Sequence, residues 1–128
     1  MESVVLQDVT TLEGLGGSVP VTFYQNRDTW LWAAKAENVI LVVEVFELNG
    51  TDADPTLSIQ TGPDAGGPWT TVASWTEPGT YTLFLGREPT YSQAQRVEGY
   101  LRWKLSETVN GHAWNACFRV TAVIEPVG

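Results

Sequence analysis

The segments YLRWKLS, Tyr100 to Ser106, and WNACFRVTAVI, Trp114 to Ile124, alternate apolar with polar residues almost without interruption. In the first, Leu101, Trp103 and Leu105 face one way and Tyr100, Arg102 and Lys104 the other. In the second, Trp114, Ala116, Phe118, Val120, Ala122 and Ile124 share a face opposite Asn115, Cys117, Arg119 and Thr121. An extended chain turns successive side chains to opposite sides, so this pattern belongs to strands with one face in a core and one in solvent. An Asn110-Gly111 pair marks a turn between them.

Working outward, the rest of the chain reads the same way. Val39 to Leu48 carries Val, Ile, Leu and Phe on both faces, as expected of a strand covered twice, either centrally or against a partner chain. By strict alternation its Glu44 and Glu47 fall on opposite faces and form no pair. The loop Asn49 to Pro55 ends it, with Asn49-Gly50 the strongest turn signal in the chain. Leu57 and Ile59 alternate with Thr56, Ser58 and Gln60; Trp69 to Trp75 and Tyr81 to Leu85 follow, separated by Gly- and Pro-containing turns. Toward the N-terminus, Val4 to Leu12, Val19 to Tyr24 and a short Trp30 to Ala34 are further strands. Arg87 to Gln95 reads as a polar loop. Trp30 to Val39 is the best helical candidate, but it is short and runs into β-branched residues. About eight strands at roughly 8–12-residue spacing indicate an all-β chain: one antiparallel β-sandwich of jelly-roll type over 1–128, with 1–12 as an N-terminal arm or edge strand.

Composition limits the function classes. The 128 residues are 43% hydrophobic and include six Trp, four Tyr and four Phe, enough for one packed core. Fifteen acidic against seven basic residues give a formal charge of −8, with no basic stripe for nucleic acid or anionic membrane. A lone cysteine, Cys117, permits no internal disulfide and suits synthesis in a reducing cytoplasm. Met1 to Gly14 lacks the basic and apolar regions of a secretory signal. The longest apolar run, Val39 to Val43, is too short to span a bilayer.

Catalytic chemistry finds few residues to use. His112 is the only histidine, which excludes a two-histidine metal site, and neither it nor Cys117 has a partner in sequence. Gly14, Gly16 and Gly17 lack the helix and lysine of a phosphate loop. Asp52, Asp54 and Asp64, in loops flanking one strand, are weak Ca²⁺ candidates, since Asp in such turns ordinarily bonds backbone. No catalytic residue and no cofactor are expected. Among the tryptophans, Trp69, Trp103 and Trp114 take inward positions, whereas Trp30, Trp32, Phe46 and Trp75 are candidates for contact with another molecule. Such aromatics suit either a subunit interface or a sugar platform beside Gln60, Asn115 or Arg102.

LSIQTGPDAGGPWTTVASW, Leu57 to Trp75, resembles a recurring unit of tailed-phage and prophage virion proteins. A strand ends in a turn, here Thr61-Gly62-Pro63-Asp64; a tryptophan, Trp69, opens the next, which closes on Ala73-Ser74-Trp75. GYLRWKLS, from Gly99, resembles the companion strand of those proteins, and FRVTAVIEP, Phe118 to Pro126, their closing strand. This chain departs from the pattern at Gly62, where serine is usual, and in an Ala-Gly-Gly-Pro insertion before Trp69. The resemblance implies a non-enzymatic virion protein, a capsid decoration subunit that forms a homo-oligomer such as a trimer and docks on a shell of major capsid protein. The same strand–turn–Trp pattern occurs in carbohydrate-binding and discoidin-like sandwiches, so a glycan-binding module, on a virion or elsewhere, is the alternative.

Overall fold

The computed structural model describes residues 2–14, 22–33, 36–50, 55–86, 95–96, 99–106 and 113–126. In chain order they form β1 (Glu2–Gly14), β2 (Thr22–Tyr24), a 3-10 turn (Arg27–Thr29), β3 (Leu31–Trp32), β4 (Ala36–Gly50) and β5 (Thr56–Gly62). Then come β6 (Thr70–Trp75), β7 (Gly79–Gly86), β8 (Gln95–Arg96), β9 (Tyr100–Ser106) and β10 (Trp114–Pro126). Sheet I has the order β1-β10-β4-β7-β8, antiparallel except for the parallel β7–β8 pair. Sheet II has the order β2-β9-β5-β6, and β3 pairs β9 further along the side that β2 occupies.

Without the two-residue β3 and β8, the remaining strands run first-eighth-third-sixth in one sheet and second-seventh-fourth-fifth in the other. That double winding is the jelly roll, a β-sandwich as the alternation requires. β4 and β5 lie in different sheets, as do β9 and β10, so Asn49-Gly50 does not join two paired strands. Asn49 and Gly50 are the last residues of β4, opposite Asn115 and Trp114. Asn110 and Gly111 lie outside the described residues. So do most of Val19 to Tyr24 before Thr22, Ala34, and all of Arg87 to Gln95 except Gln95 itself. The segment from Trp30 supplies β3 and the start of β4, with no helix among its described residues.

The core lies between the sheets. Val39, Leu41, Val43, Val45 and Leu48 of β4 are buried against Leu57 and Ile59 of β5 and Leu101, Trp103 and Leu105 of β9 in one cluster. Trp103 meets Phe118 edge-on at 4.8 Å, and Phe23 meets Trp114 at 5.6 Å, each contact joining the two sheets. β4 is central in sheet I, but only its inner face is fully covered; Phe46 on the outer side is 49% exposed.

Strict alternation fails at bulges. Phe118 pairs Val45 and Cys117 pairs Glu47, so Phe46 is an extra residue. The bulge turns Glu47 to the outer face that Glu44 already occupies opposite Arg119, correcting the opposite-face expectation. It also returns Leu48 to the core. In β1, register shifts between Val5 and Gln7 and between Gln7 and Thr10 bury Leu6 and leave Val9 exposed.

Gln25 follows β2 and is fully buried. Its backbone N–H donates to the Trp103 carbonyl at 3.0 Å, extending the β2–β9 ladder. Its side-chain Oε1 accepts from the Trp103 N–H at 3.1 Å. Its Nε2 donates to the carbonyls of Leu6 at 3.1 Å and Thr29 at 2.6 Å. The amide therefore ties β1 of sheet I to β9 of sheet II and to the 3-10 turn. A second tie runs from the Trp103 indole N–H to Gln7 Oε1 at 3.1 Å. Gln25→Leu keeps roughly the same volume but orphans a buried donor and two carbonyls. It is expected to lower the unfolding free energy by about 3 kcal/mol in urea titration, and an unchanged midpoint would refute the tie.

Candidate functional site

Three polar-face residues of β9 organise the outer surface of sheet II. Tyr100 stands opposite Trp32 of β3, Arg102 opposite Gln60 of β5, and Lys104 opposite Tyr24 of β2. The Arg102 guanidinium carbon lies 3.7 Å from the Trp69 ring centroid, 4.3 Å from that of Tyr24 and 5.1 Å from that of Trp30. Its Nε–H donates to Gln60 Oε1 at 2.9 Å. Burial pulls the Arg102 pKa below its ordinary value, and Tyr24 opposes that pull. Arginine nonetheless keeps its charge, and the surrounding ring faces supply favourable electrostatics in place of lost water.

The rings also support one another. Trp30 meets Trp69 edge-on at 5.0 Å and Tyr100 at 5.9 Å, while Tyr100 meets Trp32 at 4.6 Å. Trp30 is held from beneath, its indole N–H donating to the Gln25 carbonyl at 2.8 Å. On the outside, Trp32 and Tyr24 are 53% and 48% exposed, the most open rings of the group. Arg27 and Lys104 each lie 5.9 Å from a ring centroid of the same cluster, those of Trp30 and Tyr24. Three cations thus gather on one face of an acidic chain.

Trp69 is the main correction here, because alternation assigns it inward. It precedes β6 rather than belonging to it, so the turn sets its direction. In that turn Asp64 Oδ1 accepts from the Gly66 N–H at 2.8 Å, and the Asp64 carbonyl accepts from the Gly67 N–H at 3.0 Å. Gly67 takes a left-handed φ of 86°, and a Cβ there would stand 2.8 Å from Trp69 Cδ1. A Cβ on Gly62 would come within 3.1 Å of the Trp69 ring. Both departures from the virion-protein pattern, Gly62 and the Ala-Gly-Gly-Pro insertion, therefore make room for an indole folded out onto Arg102.

The four contact candidates are not one patch. Trp30 and Trp32 flank Tyr100 on sheet II, and Phe46 projects from the β4 bulge on sheet I. Trp75 stacks on Tyr81 at 4.8 Å and 15°, closing the sandwich between β6 and β7. Of the polar candidates, Gln60 and Arg102 belong to the aromatic face, whereas Asn115 is on sheet I, donating to Glu47 Oε2 at 3.3 Å. Asp64 serves its turn; Asp52, Asp54 and His112 lie outside the described residues, among which no cluster of three metal-ligating side chains occurs. Cys117 is half-buried opposite Glu47 and Thr11. Tyr24 and Lys104 are the contributors that sequence reasoning passed over; their shared polar face with Arg102 was the available signal.

The outer face of sheet I is different. Ser3, Val123, Ile40 and Phe84 form one cross-strand row, and Val5, Thr121, Val42 and Thr82 the next. Val5 and Phe84 are each about half exposed, giving a mixed apolar and hydroxyl-bearing surface bordered by Arg119 and Glu44. No helix among the described residues is long and apolar enough to cross a membrane. In comparison with known proteins, the chain matches no family model and no curated protein.

Gly67→Ala is expected to displace Trp69 from Arg102 and to destabilise the chain by about 1–2 kcal/mol through the left-handed strain. The near-UV circular dichroism of the packed indoles should weaken while the far-UV strand signal persists. An unaltered near-UV spectrum would show that Trp69 does not depend on the turn.

Proposed function

We propose that this chain is a non-enzymatic virion structural protein, a decoration subunit that docks on a protein shell through the outer face of sheet I. The observation that carries the reading is the group of five apolar side chains, Val5, Val42, Ile40, Val123 and Phe84, interspersed with Ser3, Thr82 and Thr121 on a sheet whose other face already fills the core. A contiguous apolar surface rimmed by charge is the form of a protein-binding patch. The jelly roll occurs in viral capsid and lectin domains alike, so it supports a binding role by analogy without selecting the ligand. As a symmetric oligomer such as a trimer, the subunit would meet a repeated lattice with several weak contacts at once, and multivalency would make the attachment firm.

Glycan binding is the second reading, favoured by one specific observation: Trp32 and Tyr24 stand open on sheet II beside Arg102 and Lys104. The two readings use opposite faces and are compatible in one molecule.

Gradient sedimentation of a native lysate from the source, probed for this chain, tests the first reading. Co-migration with a megadalton particle is expected, and Phe84→Glu should release most of the chain into the slow fractions. A small, slow species under particle-preserving conditions would overturn the shell-docking role.

A further inference from the structure

The aromatic face of sheet II has a polarity as well as a shape. Arg102 spends its Nε–H on Gln60 and has no carboxylate partner among the described residues, so its terminal amino groups remain open. Among the described residues, the Lys104 ammonium is engaged only by the Tyr24 ring and the indole N–H of Trp32 has no partner. Guanidinium, ammonium and indole groups donate and never accept. The surface therefore selects a ligand rich in acceptors, and its three cations favour one with negative charge.

The arrangement also fixes the ligand's form. Tyr24 is opposite Lys104 and Trp32 is opposite Tyr100, so the two most open rings are separated by the length of β9 between those residues. At strand rise that is about 13 Å, with Arg102 midway. A single small anion fills none of that length. Single-stranded nucleic acid has the rings and the length but carries a phosphate at every unit, against three cations on a chain of net charge −8. A saccharide with carboxylates on some of its units offers apolar ring faces for stacking, many oxygen acceptors and a sparse charge.

Resting on the glycan reading above, we infer that the outer face of sheet II binds an extended acidic saccharide along β9, with sugar rings on Trp32 and Tyr24 and a carboxylate held by Arg102 and Lys104.

The test is titration of the full chain, followed by tryptophan fluorescence and calorimetry, with hexagalacturonate and hyaluronan hexasaccharide against maltohexaose and cellohexaose. The acidic oligomers should bind at least about tenfold tighter than the neutral ones, the scale of one charge-assisted hydrogen bond, and should weaken with added salt. Trp32→Ala, at an exposed position that leaves the core intact, should abolish the preference along with binding. Arg102→Gln should remove the preference for acidic sugars. Equal affinity for both sets would overturn the acidic assignment and leave glycan binding in place. Failure of all four oligosaccharides would overturn the inference and the glycan reading together, whatever the sedimentation of the chain with a shell. Binding that survives Trp32→Ala unchanged would remove the ligand from this face.

Discussion

A buried primary amide holds the two halves of this molecule in register. Gln25 presents an acceptor to the backbone of β9 and a donor to the backbone of β1, while its own carbonyl takes the indole proton of Trp30. The orientation of the amide is forced, since the Trp103 N–H can only donate and the Leu6 carbonyl can only accept. Hydrophobic contact alone would let β1 slide along β10, because a valine in the core is replaceable by its neighbour's neighbour. A hydrogen bond to one particular carbonyl is not. The irregular stretch of β1 around Leu6 and Gln7 is where these bonds are made, so the bulges and the polar ties are parts of one arrangement.

From that tie follow the different characters of the two outer faces. Sheet I is built from long strands whose outward residues are set by pairing, and it ends with rows of apolar and hydroxyl-bearing residues. Sheet II has the short β2 and β3 along one side of β9, with the turn between them anchored by Gln25 and Thr29. Short strands leave ends, and the ends carry Tyr24, Trp30 and Trp32. Trp69 arrives from a third such end before β6. Three rings, Tyr24, Trp30 and Trp69, converge on Arg102 from these interruptions, and Trp32 joins them through Tyr100.

The sandwich, its inward Trp103, Trp114 and Phe118 and the central place of β4 were legible because period-two alternation survives wherever pairing is regular. What alternation cannot register is an inserted residue. One extra position at Phe46 reverses every later expectation in that strand, and Glu47 changes face with no change in composition. Trp69 was misassigned for a related reason: a residue ahead of a strand takes its direction from the turn, and here the turn depends on the missing side chains of Gly62 and Gly67. Gln25 was passed over although alternation from the inward Phe23 places it in the core, because a polar residue beside Asn26 and Asp28 reads as part of a turn. Strand order, finally, depends on which backbones meet across the whole chain, and the turn signals say nothing of whether the flanking strands pair or cross between sheets, as β4 to β5 and β9 to β10 do.

The geometry also separates residues that composition treats alike. Trp30 and Trp32 are two positions apart and border the same tyrosine, yet their situations differ. Trp30 has its only donor bonded to Gln25 and one edge against Trp69, so its removal would loosen the turn and the Arg102 cluster together. Trp32 is over half exposed, with its indole N–H unpartnered among the described residues, so its removal takes away surface and little else. A large apolar ring kept in water offers the fold little stabilisation for its area. Trp75 shows the contrast, since stacking on Tyr81 gives it a structural role at a sandwich edge. Trp32 and Tyr24 are therefore the rings of the cluster that the fold covers least, with Arg102 between them along β9.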